Sequence, residues 1–211
     1  DGGYTGFTQK EFVDTIREEA RVIHFTGPVI VAIDHGGPWL KDKHRLEGWS
    51  YDRTMAAVKR SFEEAIEAGY DLIHVDPTID ITLPKGQSIR IEVVVERTVE
   101  LVKGSVPVII NIAEQSTKGA IEAAQRAHDY GAQGLMLLPP MRYKADKRET
   151  LTYFQKIAAS TKLPIMIYNN PVDYGIEVTL DMFDALQEYK NIQAVKESTR
   201  DISNVTRMKN R

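Results

Sequence analysis

Cysteine is missing from all 211 residues, which excludes a disulfide framework and any thiolate chemistry. The absence fits a reducing compartment, so a cytoplasmic location is expected. No apolar run approaches the roughly 18 residues that a membrane span needs, and the polar opening DGGYTGFTQKEF does not read as a signal peptide. Neither sign of charge dominates: 27 basic and 30 acidic residues are mixed along the chain, for a net charge of -3. No field is therefore directed at nucleic acid or at an anionic membrane, and a small molecule is the expected partner. Phosphate-binding signatures are lacking too, since no G-x-G-x-x-G or G-x-x-x-x-G-K-[ST] follows any apolar run.

What the chain does have is a recurring short apolar run rich in β-branched residues. PVIVAID from 28, DLIHVD from 71, PVIINI from 107, GLMLLP from 134, PIMIYN from 164 and IQAVK from 192 each read as a strand buried on both faces. Between them lie segments of helical period, as in YDRTMAAVKRSFEEAIEAGY, where Met55, Val58, Phe62, Ala65 and Ile66 share a face. Strand starts fall about 27 to 43 residues apart, the spacing of βα units rather than of hairpins. Several units close alike, in EAGYD, DYGAQG and STKLPI, where Gly or Pro ends a helix and starts the next strand. The expected fold class is α/β, a (β/α) TIM-type barrel in a single domain over 1–211. About six βα units are present where a closed barrel has eight, so the barrel reads as incomplete. Its open sheet edges would call for pairing with another copy or covering by a partner subunit.

In such a barrel, chemistry sits at the carboxyl ends of the strands. The residues there are Asp34 and His35, Asp76, Asn111, Pro139 and Pro140, Tyr168 and Asn169, and Lys196. A lysine at a narrow, partly dry barrel mouth would have its charged form disfavoured, and a neutral lysine makes an imine with a carbonyl substrate. Taken alone, Lys196 also reads as a strand-end lysine that reaches water or pairs with Glu197. Tyr168 alone reads as a packed ring with a hydrogen-bonded hydroxyl. As a pair on consecutive parallel strands about 4.8 Å apart, an amine and a phenol can share one substrate.

Residues from about 105 to 211 resemble the dihydrodipicolinate synthase and N-acetylneuraminate lyase family, the class I pyruvate-type aldolases. The resemblance rests on VPVIINIAEQSTKGAIEAAQRAHDYGAQGLMLLPP, LPIMIYNNPVDYG and NIQAVKEST. It implies that Lys196 is the Schiff-base lysine and Tyr168 the proton relay, with Asn169 and Pro171 shaping the loop beneath. Asn111 and Tyr143, the latter in PPMRYK where many members carry a tyrosine pair, join as substrate contacts. Asp173 stands where the synthases place a carboxylate-binding arginine, which favours an aldolase, dehydratase or deaminase acting on a 2-oxo acid or cyclic imino acid. No organic cofactor or metal is implied. The family's first two strands, with their carboxylate-gripping loop, have no counterpart.

Residues 1 to about 103 resemble instead the non-catalytic subunit family of tagatose-bisphosphate aldolase, through GGYTGFT, IVAIDHGGPW and EAGYDLIHVDPTID. By analogy with the related metal-dependent ketose-bisphosphate aldolases, Asp34 would be a general acid or base and His35 a zinc ligand. Catalytic zinc normally takes three protein ligands. His24, His44, His74 and His128 do not complete an evident set. Asp76 and Asp80 in DPTID read equally as turn residues, GGYTG as a flexible turn, and LKDKHRLEG as a surface loop anchored by Trp39 and Trp49. The two resemblances meet near 103–106.

Three functions are thus open: an imine-forming lyase on Lys196 and Tyr168, a metal-dependent ketose-bisphosphate aldolase or its companion subunit using Asp34 and His35, and a scaffold without activity. The leading expectation is the lyase, acting on a small carbonyl compound.

Overall fold

A computed structural model describes residues 6–75, 81, 91–104, 106–140 and 143–211. Asp76, Asp80 and the first four residues of GGYTG lie outside them. Two compact units make up the chain, Asp1–Ile89 and Arg90–Arg211.

In the first unit, α1 (Gln9–Val22) starts on a capping box: the Thr8 side chain accepts from the Glu11 amide while the Glu11 carboxylate accepts from Thr8. Strand β1 (Ala32–Gly36) leads to the short α2 (Asp42–Leu46), then to α3 (Tyr51–Ala68) and β2 (Leu72–Val75). Helix α3 begins on Ser50 and stops at Gly69, whose φ of 88° is a left-handed conformation that glycine adopts without a Cβ penalty. Its packed stripe is Thr54, Val58 and Ala65, whereas Met55 and Ile66 are exposed. The expected apolar face is therefore rotated by about one residue, because the stripe runs i, i+4, i+11 through a buried threonine. The segment read as a surface loop contains α2, and His44 is buried there, stacked on Trp49 at 4.5 Å. Trp39 is fully buried and its indole donates to the Trp49 carbonyl at 3.1 Å.

Strands β1 and β2 pair in parallel with Ala32 opposite Leu72 and Ile33 opposite Ile73, but next with Gly36 opposite Val75. Two residues of β1, Asp34 and His35, thus face one residue of β2, His74. That is a β-bulge, and His35 carries its bend with φ 55°.

The second unit opens with α4 (Ile91–Val102) and continues as β3 (Ile109–Ile112), α5 (Thr117–Asp129), β4 (Gly134–Leu137), α6 (Lys147–Ser160) and β5 (Ile165–Asn169). It closes with α7 (Pro171–Tyr174), α8 (Leu180–Leu186), β6 (Ile192–Glu197) and α9 (Ser203–Lys209). The four strands form one parallel sheet in sequential order β3-β4-β5-β6. All six strands expected from the sequence are present. Only β4 and β5 are buried almost throughout; β3 and β6, at the edges of this sheet, are partly exposed, so burial on both faces holds for the inner pair alone.

Alternation sorts the side chains of this sheet. Ile112, Leu135, Leu137, Ile165 and Ile167 point to the helix side, where they meet Ala120, Ala124, Phe154, Ile157, Met182 and Leu186 in the main core. The alanines of α5 leave the helix backbone close to the sheet. On the other face Met136, Leu138 and Tyr168 form a smaller cluster with Met166 and Tyr174 packed against it. No helix among the described residues is long and apolar enough to cross a membrane.

Candidate functional site

Strands β5 and β6 start in register with Ile165 opposite Ile192, then skip, so that Met166 faces Ala194 and Tyr168 faces Lys196. Gln193 is the extra residue. The skip puts Lys196 on the same face of the sheet as Tyr168, and its Nζ lies 4.3 Å from the centre of the tyrosine ring. Such a contact of amine and aromatic face holds a long side chain in one place.

Tyr168 is itself fixed on several sides. Its ring is buried against Met136 and Leu138 and meets the Tyr174 ring edge to face at 5.5 Å. Its hydroxyl accepts a hydrogen bond from Asn170 Nδ2 at 3.2 Å. A phenol that accepts there keeps its own proton to donate elsewhere. Asn170 is held in turn by Asp173, whose carboxylate accepts from Nδ2 at 2.7 Å, and it caps α7, which has Pro171 at its first turn. Pro171 thus shapes the loop rather than lining the cleft beside it.

That cleft has a volume of about 440 Å³, and Tyr168, Asn170, Asp173, Ser198, Thr199 and Arg200 are among the residues that line it. Lys196 lies over the face of the tyrosine ring and is not itself among the residues that line the cleft, so the ring is the link between the amine and the cleft. The loop after β6 is tied down by Glu197, whose Oε1 accepts from the Thr199 amide at 2.9 Å and whose Oε2 accepts from Asn169 and Asn204, each at 3.0 Å. At the start of α9, Asp201 accepts from Ser203 and from Arg207, and these bonds hold its carboxyl below the usual carboxylate range.

Asn169, expected beside the substrate, is placed on the opposite face by the alternation of β5 and is fully buried. Its Nδ2 donates to the Val178 carbonyl and to Glu197, and its Oδ1 accepts from the Val178 amide at 2.9 Å. This side chain holds the chain between α7 and α8 against the sheet. Asn111 lies on the Tyr168 face but one row lower, opposite Met136, with its Oδ1 buried and without a hydrogen-bond partner among the described residues. Tyr143 lies past the end of β4 with its side chain 55% exposed.

In the first unit the bulge gathers a second group. Asp34 Oδ1 is 3.0 Å from His74 Nδ1 and 3.9 Å from His35 Nε2, and the two imidazole rings are 4.8 Å apart. One ligand atom from each of the three lies within 4.8 Å of the others. His74, one of the histidines that form no evident set in the sequence, therefore joins Asp34 and His35. Its signal was the alternation of DLIHVD, which puts the histidine on one face of β2, but the bulge that brings two β1 residues to it has no mark in the sequence. His24, His44 and His128 are not part of the cluster.

Comparison with known proteins gives two overlapping family matches. The Dihydrodipicolinate synthetase family matches residues 87–211, and the family described as D-tagatose-1,6-bisphosphate aldolase subunit GatZ/KbaZ-like matches residues 1–123. A 4-hydroxy-tetrahydrodipicolinate synthase from Clostridium perfringens is 33% identical over 115 residues, 54% of this chain and 40% of that protein. Among solved structures, YagE, a prophage protein of the dihydrodipicolinic acid synthase family from E. coli K12 in complex with pyruvate, is 26% identical. It matches with a TM-score of 0.53 over 56% of this chain and 40% of its own. A putative dihydrodipicolinate synthetase from Pseudomonas aeruginosa covers 86% of this chain and 60% of its own, at 25% identity and a TM-score of 0.67. The chain spans about 40% of the length of the curated relatives it matches. Its fold class is that of the (β/α) TIM-type barrel, represented by six βα units among the described residues where a closed barrel has eight.

Proposed function

The chain belongs to the dihydrodipicolinate synthetase family through residues 87–211, and on that premise we propose that it works as an imine-forming lyase on a pyruvate-like 2-oxo acid. The observation that carries this is the pairing of Tyr168 with Lys196 at one height of the sheet, amine against ring at 4.3 Å, beside a cleft of about 440 Å³. That the E. coli relative was solved with pyruvate supports the choice of substrate class.

The chemistry follows from the two groups. The neutral amine of Lys196 adds to the ketone carbon of the oxo acid, and the carbinolamine loses water to give the imine. Tyr168 donates the proton that lets hydroxide leave as water and recovers one when the imine is hydrolysed. While the imine stands, it withdraws electrons from the neighbouring carbon. A proton, a carbon-carbon bond or a leaving group on that carbon can then be exchanged. Asn170 keeps the phenol aimed by donating to its oxygen.

The test is intact-mass spectrometry after incubation with pyruvate and borohydride, comparing wild type with Lys196→Ala. A reduced pyruvyl adduct on the wild type alone is expected. Either of two results overturns the assignment of Lys196: an adduct on both proteins, which puts the imine on another amine, or an adduct on neither, which leaves a scaffold role for this unit.

A second reading is favoured by the cluster in the first unit: Asp34, His35 and His74 hold a zinc ion as part of a metal-dependent aldolase or of its companion subunit. Two imidazoles and a carboxylate are a zinc donor set, and ligand atoms about 3.3 Å apart suit a tetrahedral ion. The observed separations, 3.0 and 3.9 Å from Asp34 and up to 4.8 Å across the set, need to change by up to about 1.5 Å to meet that geometry. Bound zinc supplies a Lewis acid for a carbonyl oxygen. Zinc content after dialysis, compared between wild type and His74→Ala, decides it: equal content in both refutes this site.

A further inference from the structure

Four charged side chains line the cleft beside Tyr168: Asp173, Glu197, Arg200 and Asp201. Two of them are committed to backbone and side-chain donors around them. Glu197 accepts from Thr199, Asn169 and Asn204, and Asp201 accepts from Ser203 and Arg207. Arg200 differs from both. Its guanidinium meets only the Asp173 carboxylate among the described residues, at 4.0 Å, which is beyond hydrogen-bond range, and its side chain is 73% exposed. The residue also holds a φ of 64°, a left-handed conformation that a side chain disfavours and that recurs where a loop is shaped for a ligand. Glu197 and Asp201, on either side, pin the loop in that shape.

We propose that Arg200 binds a carboxylate of the substrate remote from the carbonyl carbon, taking it in place of the long contact with Asp173. This rests on the imine-forming reading of the same site. A guanidinium presents two parallel N–H groups that match the two oxygens of a carboxylate, and here the side chain lines the cleft and is mostly exposed. Single negative charge suits the site better than a phosphate dianion. Among the lining residues one cation is set among three carboxylates, of which Asp201 alone carries a second cation, Arg207, so a dianion would meet more repulsion than one guanidinium relieves. Asp173 holds the arginine loosely over the cleft until the ligand arrives, and its own bond to Asn170 keeps it in place afterwards. The remote carboxylate belongs either to a dicarboxylic 2-oxo acid or to an acidic second substrate. Arg200 recognises the same group in both.

The experiment measures the binding of butyrate and of butyramide, its uncharged amide, by ligand-observed NMR, for wild type, Arg200→Gln and Arg200→Lys. Wild type prefers the carboxylate by about 10-fold, the scale of one bidentate charged pair. Arg200→Gln loses the preference, and Arg200→Lys keeps only part of it because an ammonium has no planar fork. No preference in wild type, or a preference kept by Arg200→Gln, overturns the proposal. Neither ligand has a ketone, so the result is independent of imine formation: a lost preference beside an absent pyruvate adduct would uphold Arg200 while refuting Lys196. Borohydride trapping with 2-oxoglutarate then assigns the source. A half-saturating concentration that rises in Arg200→Gln puts the carboxylate on the oxo acid, and an unchanged one puts it on the second substrate.

Discussion

Replacing Asn169 by alanine removes an amide that makes three hydrogen bonds in a fully buried place. Val178, 1% exposed, would be left with its N–H and C=O unpaired, since among the described residues both reach only the Asn169 side chain. A buried backbone group without a partner costs about 1–3 kcal/mol. The third bond is less costly to lose, because Glu197 Oε2 keeps its contact with Asn204. Allowing for partial relaxation around the lost amide, the variant should be less stable by about 2–4 kcal/mol, which is roughly a 30- to 1000-fold change in the folding equilibrium. At about 2–4 °C per kcal/mol for a chain of this size, the midpoint of thermal unfolding falls by about 5–15 °C. Urea unfolding followed by far-UV circular dichroism measures the change, with Val172→Ala, at an exposed position on α7, as a control expected to stay within about 0.5 kcal/mol. A loss no larger than the control's would refute the reasoning. It would mean that the Val178 groups find other partners, and that Asn169 is available to a substrate after all.

Tyr168→Phe keeps the ring beneath Lys196 and loses only the hydroxyl, so the pyruvate adduct should still form under borohydride while the rate of its formation falls by about 100-fold or more, the usual contribution of a positioned proton donor. An unchanged rate would remove the phenol from the chemistry. Burial, the largest cause, together with the nearby Lys41, Arg53 and Lys43 charges, pushes the His44 imidazole below its ordinary value. A depressed folded-state value means that the unfolded chain takes up the proton first, so this contribution to stability is full above the ordinary histidine range and is lost as pH falls through it and on to the folded value. The unfolding midpoint reported by the fluorescence of Trp49, stacked on His44, should drop on that acid side in wild type. The slope should flatten in His44→Phe, and an equal slope in both would place the titration elsewhere.

The sequence by itself determined the alternation of short β-branched runs and amphipathic segments, and with it six strands that pair in parallel and the strand ends at which polar residues collect. It also determined that Tyr168 and Lys196 end consecutive strands, because apolar runs of that length are interpretable without tertiary information. Which face each residue takes was decided by the tertiary structure. Without the skip at Gln193, Tyr168 would face Val195, and Lys196 would lie beside Asn169 on the helix side. A shift of one residue reverses every side chain of a strand. The same kind of irregularity in β1 brings both Asp34 and His35 to His74, a set that no spacing in the chain announces. Arg200 meets Asp173 across 27 residues only because β6 and the loop after β5 end at the same mouth. A bulge is one residue of slack whose position is set by packing on both faces of a sheet, so local composition carries no record of it.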